Sequence, residues 1–320
     1  MAWKLALTAA SLAALVAAPA ARAAEQPLPY PVRVVTLVTH SSPGGGSDVF
    51  LRELTRYLGK YIDATFIVEN AEGGSGAKAM SRVASARPDG SVLYASTPTY
   101  IMTSLLSRPG NTYIDLEPVV NFFLDTEVVY TRADGPYRTL EDVLDHARRG
   151  RGRWGAANPS SLERQAAERL RVAAGVNAGI VPHDGGGDLM INILNGTLEM
   201  GVGEMEELRA QLAAGTVRVL ATFGSERIPT LPGVPTVTEA GYAVELEKFR
   251  GLAGPKGLSP EVIRIWNDAA QKVLADPEYR ERYIAGNLKA SFLPHEEFVP
   301  FIAKVAEETA ALFAATSVAQ

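Results

Sequence analysis

The chain has 320 residues, with 31 Lys and Arg against 36 Asp and Glu, a formal net charge of −5. That balance argues against a nucleic-acid binder, which carries a basic face, yet it leaves room for an anionic ligand held by local amides. The cysteine count is zero, which rules out a disulfide framework, a cysteine nucleophile and a lipid-modified cysteine.

Lys4, the apolar run 5–16 and Ala21-Arg22-Ala23 read as a secretory signal peptide over residues 1–23, too short to span a membrane. Removing it takes away Lys4 and Arg22, so the mature charge is −5 − 2 = −7. No later segment reaches the roughly 18 apolar residues of a membrane helix. The expectation is an exported, diffusible protein of a bacterial periplasm. Its mature length of about 300 residues suits two domains.

Residues 32–39 form a β-branched run that ends in Ser42-Pro43-Gly44-Gly45-Gly46, after which Ser47 and Asp48 open an amphipathic helix over 47–61. Strand, glycine loop and helix start make an anion site. Glycines admit a ligand to the backbone, and unpaired amides with the positive dipole end attract negative charge. The loop lacks the Lys-[Ser/Thr] pair of a P-loop, so it suits a carboxylate better than a nucleotide triphosphate. An ordinary strand–helix turn has the same composition, and the loop gains weight only from partners elsewhere.

Alternation continues: strand 65–68, helix 76–86, strand 91–95, helix 99–106. A second series follows: strand 127–131, helix 140–149, strand 154–157, helix 161–174, strand 179–182, helix 188–195, strand 200–202, helix 205–214 and strand 217–222. This is α/β construction, with Gly150 and Gly175 placed as left-handed helix stops. The polar passage 111–117 with Pro118, and the extended segment 243–253 after a Pro/Gly-rich run, suggest that the chain leaves one domain and later returns. Domain 1 is then 30–126 plus 251–320 and domain 2 is 127–250. Helices 260–274, 277–285 and 294–314, each with Pro near its start, close the chain.

Two more loops resemble the first. Asn158-Pro159-Ser160-Ser161 precedes a helix with Glu163 in its first turn, which fits capping or the grip of a ligand. His183-Asp184-Gly185-Gly186-Gly187-Asp188 again puts glycines between strand and helix. Three such loops at strand C-terminal ends match the place where open α/β sheets bind ligands. Gly74-Ser75-Gly76-Ala77-Lys78-Ala79 fits a dinucleotide fingerprint, but no acid ends the following strand, so a tight turn with close packing is expected. His40, His146, His183 and His295 show no metal-ligand spacing, and neither metal nor cofactor is expected. No G-x-S-x-G elbow occurs. Asp48, Asp184 and Glu204 are acid–base candidates without an evident nucleophile.

The set Ser42-Pro43-Gly44-Gly45-Gly46-Ser47-Asp48, Val68-Glu69-Asn70 with Gly73-Gly74-Ser75-Gly76, Pro88-Asp89-Gly90, 155–161, Val181-Pro182-His183, Leu231-Pro232-Gly233-Val234-Pro235-Thr236 and 251–255 with Lys256-Gly257 resembles the Bug family. These are TctC-type periplasmic substrate-binding proteins of tripartite tricarboxylate transporters. The likeness runs from about Tyr30 to about Glu307. It implies an α/β, two-lobed type II periplasmic-binding-protein (Venus flytrap) fold that closes on a small carboxylate. It further implies transporter membrane subunits as partners, with no nucleic acid, no catalysis and a monomeric chain.

The resemblance places ligand contacts in the first loop (Ser42, Gly45, Gly46, Ser47, Asp48), at the strand end Ser96 and Thr97, and at Asn158, Ser160 and Ser161. It also places them at His183, Asp184 and Gly186, and at Glu204. This sequence departs from the family where Glu204 replaces a common Asn, Asp184 a common Lys and His183 a common Tyr. Two added acids argue against a polyanion such as citrate. Each needs a partner, either Arg250 within the chain or a donor on the ligand. An exported hydrolase pairing Asp48 or Asp184 with His40 or His183, and a sensory module that docks to a receptor, are the alternatives.

Overall fold

The computed structural model describes residues 26–150 and 152–318, so the expected signal peptide lies outside the described residues. In chain order the elements are β1 (Leu28–Thr39), α1 (Gly46–Leu58), β2 (Ile62–Asn70), α2 (Ala77–Ala84), β3 (Val92–Ser96) and α3 (Pro98–Ser107). There follow β4 (Leu116–Arg132), α4 (Leu140–Arg148), β5 (Gly152–Ala156), α5 (Leu162–Ala173), β6 (Ala178–Pro182), α6 (Gly186–Leu194), β7 (Met200–Glu204), α7 (Met205–Ala213) and β8 (Val217–Thr222). The chain closes with β9 (Glu247–Pro255), α8 (Pro260–Ala275), α9 (Pro277–Ala285), β10 (Lys289–Leu293) and α10 (His295–Val318).

Two lobes share the long strand β4. Its first half lies between antiparallel β9 and β10, and β9 continues to β3, β1 and β2. Its second half lies between antiparallel β7 and β8, and β7 continues to parallel β5 and β6. Parallel neighbours within each lobe are joined through helices, as parallel pairing requires. One lobe buries Leu37, Leu54, Phe123 and Trp266, together with Tyr94, Tyr100 and Phe298. The other buries Trp154, Leu170, Val202 and Phe223, and Val128, Leu189 and Leu208. Each lobe has apolar clusters of its own, and Met102 of α3 packs into a cluster of the second.

The strand expected at 127–131 begins instead at Leu116 and runs through Pro118. The register shifts between Pro118 and Val120, where a missing N–H breaks no ladder bond. The polar passage ends at Asp115, with Ile114 and Asp115 exposed, and the strand that follows is apolar: Leu116, Val119, Val120, Phe122 and Phe123 are all buried. Strand β10 carries no strong period and was not expected; it forms because β4 offers an edge at Asn121–Leu124. Gly150 and Gly175 are left-handed as predicted, with φ of 78° and 61°. At the rejected dinucleotide motif Gly76 has φ 96°, and a Cβ there would come within 3.3 Å of the His40 Cβ. It is a turn that packs closely.

Candidate functional site

The glycine loops of the two lobes meet backbone to backbone. A Cβ on Gly187 would collide with the Pro43 carbonyl oxygen, and one on Gly185 would lie 2.8 Å from the Ser42 amide nitrogen. Only glycine allows this approach. The positive φ of the first loop is at Gly44 (83°), while Gly45 is extended at −78°. Beneath the loops lies a small cavity of about 10 Å³, with His40, Ser47 and Thr99 on one side, Asn158, Glu163 and Glu204 on the other, and Lys248 from β9.

An ion cluster forms the floor. Strands β4 and β9 cross between the lobes with Asp125 opposite Lys248, so their alternating charges share one buried region. Lys248 Nζ is 3.0 Å from Glu127 Oε1 and 2.7 Å from Glu163 Oε1, and also pairs with Glu204 Oε1. Arg250 donates from Nε to Asp125 Oδ2 at 2.7 Å, and its Nη2 is 3.0 Å from Glu204 Oε1. Four carboxyls thus face two cations. Burial pushes Asp125, Glu127 and Glu163 above the ordinary carboxylate range. For Glu204 burial pushes the same way, but Lys248 and Arg250 together win and hold its carboxyl well below that range. Burial, then Lys248 and Arg250, lower His40 to about 3. The ring is therefore neutral, with Nδ1 2.9 Å from the Tyr94 hydroxyl.

Residues 50–317 match the TctC family, the tripartite tricarboxylate transporter family receptor. The chain belongs to this family. Among curated relatives, the "UPF0065 protein in gbd 5'region" of Cupriavidus necator is 26% identical over 286 residues, covering 88% of this chain and 87% of that one. The solved periplasmic binding protein BugD superposes with a TM-score of 0.84 at 25% identity, over 90% of this chain and 99% of the other. MatC from Rhodopseudomonas palustris, solved with bound malate, shares the fold at a TM-score of 0.78 and 24% identity, over 88% and 98% of the two chains.

Within this TctC-family fold the expected contact residues fall into two groups. Gly46, Ser47, Asn158, Asp184, Gly186 and Glu204 line the cavity. The Asn158 side-chain oxygen accepts from the Ser160 amide at 3.1 Å, which leaves its NH₂ as a donor. The hydroxyls of Ser42, Ser96 and Thr97 are buried without a hydrogen-bond partner among the described residues. Gly45 and Ser160 stand behind the lining residues in the same loops. Ser161 Oγ caps α5, accepting from the Arg164 amide at 3.0 Å, and keeps its own proton to donate.

Asp48 is a structural cap. It accepts from the Gly44 amide, Arg52 Nε and Asn70 Nδ2, each at 2.9 Å, and these bonds outweigh burial to hold its carboxyl below the ordinary range. His183 turns to Asn192, 3.0 Å from Nε2, so neither histidine is oriented by an acid as a hydrolase would need. Glu204 finds Arg250, the intramolecular partner considered from sequence. Lys248, Glu127 and Asp125 were not singled out. Their signal was charge at alternate positions inside two apolar strand sequences, Asp125/Glu127 in β4 and Lys248/Arg250 in β9.

A second acid lies where the lobes touch. Glu206 of α7 is 7% exposed and pairs with Arg209 at 3.1 Å, which also reaches Glu53 of α1. Burial, opposed by Arg209 and aided by Glu53, pushes its carboxyl up to about 7. The folded form therefore binds this proton more tightly than the unfolded chain. The associated stability is present at low pH and lost as pH rises through about 7. Glu206→Gln is expected to raise Tm by a few degrees at pH 8 and to leave it unchanged near pH 5; an equal shift at both would contradict the assignment.

Proposed function

We propose that this receptor closes its two lobes, 30–126 with 251–320 and 127–250, on a small carboxylate-bearing ligand in the periplasm. It delivers the ligand as a monomer to the membrane subunits of a tripartite tricarboxylate-type transporter, without a cofactor and without turnover. One observation carries this reading: helix starts from both lobes, at Gly46 and Ser47 of α1, at Asn158 before α5 and at Gly186 of α6, converge on one cavity. Amides and hydroxyls at helix starts are the donors a carboxylate takes. The malate in MatC belongs to that protein, and it is compatible with the same class of ligand here.

The test is a thermal-shift screen of the mature chain against small carboxylates, aromatic acids and amino acids. A ligand present at about 100 times its Kd adds about 2.7 kcal/mol of stability; a panel that leaves Tm unmoved would remove the reading. Ser161→Ala should show two separable effects. The lost cap costs about 1 kcal/mol without ligand, and the lost donor weakens carboxylate affinity roughly ten- to hundredfold, the worth of a charged hydrogen bond. A change in stability alone would confine Ser161 to capping.

A further inference from the structure

We propose that Glu207 is a specificity-determining residue: its carboxyl group plugs the anion-binding start of α1 and restricts the cleft to ligands with a single carboxylate. The inference rests on the carboxylate-binding reading above and narrows it.

Glu207 is the third residue of α7, and its Oε1 accepts the Glu204 amide at 3.2 Å, an ordinary capping-box bond. The other oxygen leaves the lobe. Oε2 accepts the Gly46 amide at 2.9 Å, across the interface, at the first residue of the 13-residue helix α1. A helix start offers amides with no partner inside the helix, and here the chain's own carboxyl takes one of them.

Space is made for it by glycine on both sides. A Cβ on Gly186 would collide with Oε2, and a Cβ on Gly203 with Oε1. On Gly46 a Cβ would lie 2.6 Å from Arg250 Nη2 and 2.7 Å from Glu204 Oε2. Gly186 and Gly203 therefore make room for one carboxyl, hydrogen-bonded to Gly46, that takes no part in the Lys248 and Arg250 ion pairs. Burial, then the charges of Glu204 and Glu163, hold Glu207 toward its neutral form, in which a carboxyl fills the position without adding charge.

The consequence is a cleft with one anion receptor fewer. The start of α5, at Asn158 and Ser161, still has donors to offer, whereas the Gly46 amide of α1 is taken. A second ligand carboxylate would find the Gly46 amide taken and meet the charge of Glu204, and among the described residues lining the cavity no cation is free of a carboxylate partner, since Lys248 pairs with Glu163 and Arg250 with Glu204. A small monocarboxylate meets no such group.

Matched pairs test this by calorimetry at pH 7.5: butyrate against succinate, and benzoate against terephthalate. Glu207→Ala frees the Gly46 amide, whereas Glu207→Gln keeps an oxygen to accept from it and so keeps the plug. In the pair that fits the cavity, the native chain and Glu207→Gln are expected to favour the monocarboxylate at least tenfold. Glu207→Ala is expected to gain tenfold or more for the dicarboxylate. Circular dichroism and Tm without ligand check that both variants fold. The proposal is overturned if the native chain binds a dicarboxylate as tightly as its partner acid, or if folded Glu207→Ala gains none. Native binding of a monocarboxylate in that second case leaves the broader reading intact, which falls only if nothing in the wider screen binds.

Discussion

Lys248→Met is expected to destabilise the chain by about 3–5 kcal/mol, the cost of removing one partner from a buried ion cluster. Lys248 is 3% exposed and pairs with Glu127, Glu163 and Glu204 at once. Methionine matches the length of the stem but leaves the carboxyls facing one another with only Arg250 nearby. For a chain of this size the loss corresponds to a fall in Tm of roughly 10 °C. The penalty carries its own pH signature. Burial has already raised Glu127 and Glu163, so they take up protons readily as pH falls, and the deficit of Lys248→Met relative to the native chain should shrink from pH 8 to pH 5. Thermal denaturation across that range checks both points. A variant within 2 °C of the native chain at pH 8 would mean that the cluster is neutralised without Lys248.

Gly187→Val is expected to weaken ligand binding on the order of hundredfold while both lobes stay folded. The residue lies in the first turn of α6, where valine fits the helix at a small propensity cost. The obstacle is in the other lobe: a Cβ here meets the Pro43 carbonyl oxygen, a backbone atom that cannot rotate away. A closed state made rare lowers apparent affinity by the fraction of molecules that can still close. Gly110→Ala is the control, since a Cβ there has nothing within 4 Å. Affinity for a carboxylate ligand, with Tm measured in its absence, separates blocked closure from unfolding. Equal affinity in Gly187→Val and the native chain would show that the loops do not need to touch.

The local features of this architecture were legible because they depend on neighbours in sequence. The glycine loops, the left-handed stops at Gly150 and Gly175 and the turn at Gly76 follow from backbone freedom within a few residues. The roles of individual acids were not legible in the same way. An aspartate after a glycine loop serves equally as cap or ligand contact; Asp48 is held by Arg52 and Gly44, four residues away, and by Asn70, 22 residues away on β2. Glu204 differs from Asp184 only through the register of β4 and β9, which brings Lys248 and Arg250 to it. Glu207 was not singled out from sequence, and its bond to Gly46 spans 161 residues. Long-range pairing decides which acids are spent on the fold and which remain for a ligand.

The most direct measurement is a crystal structure of the mature chain with the tightest-binding carboxylate from the screen. The account predicts the ligand enclosed between the 42–46 and 185–187 loops, its carboxylate within hydrogen-bond distance of Asn158 or Ser161 and the Lys248 ion pairs intact. A carboxylate bound outside this cavity, or held by Lys248 after its carboxyl partners have been displaced, would contradict it.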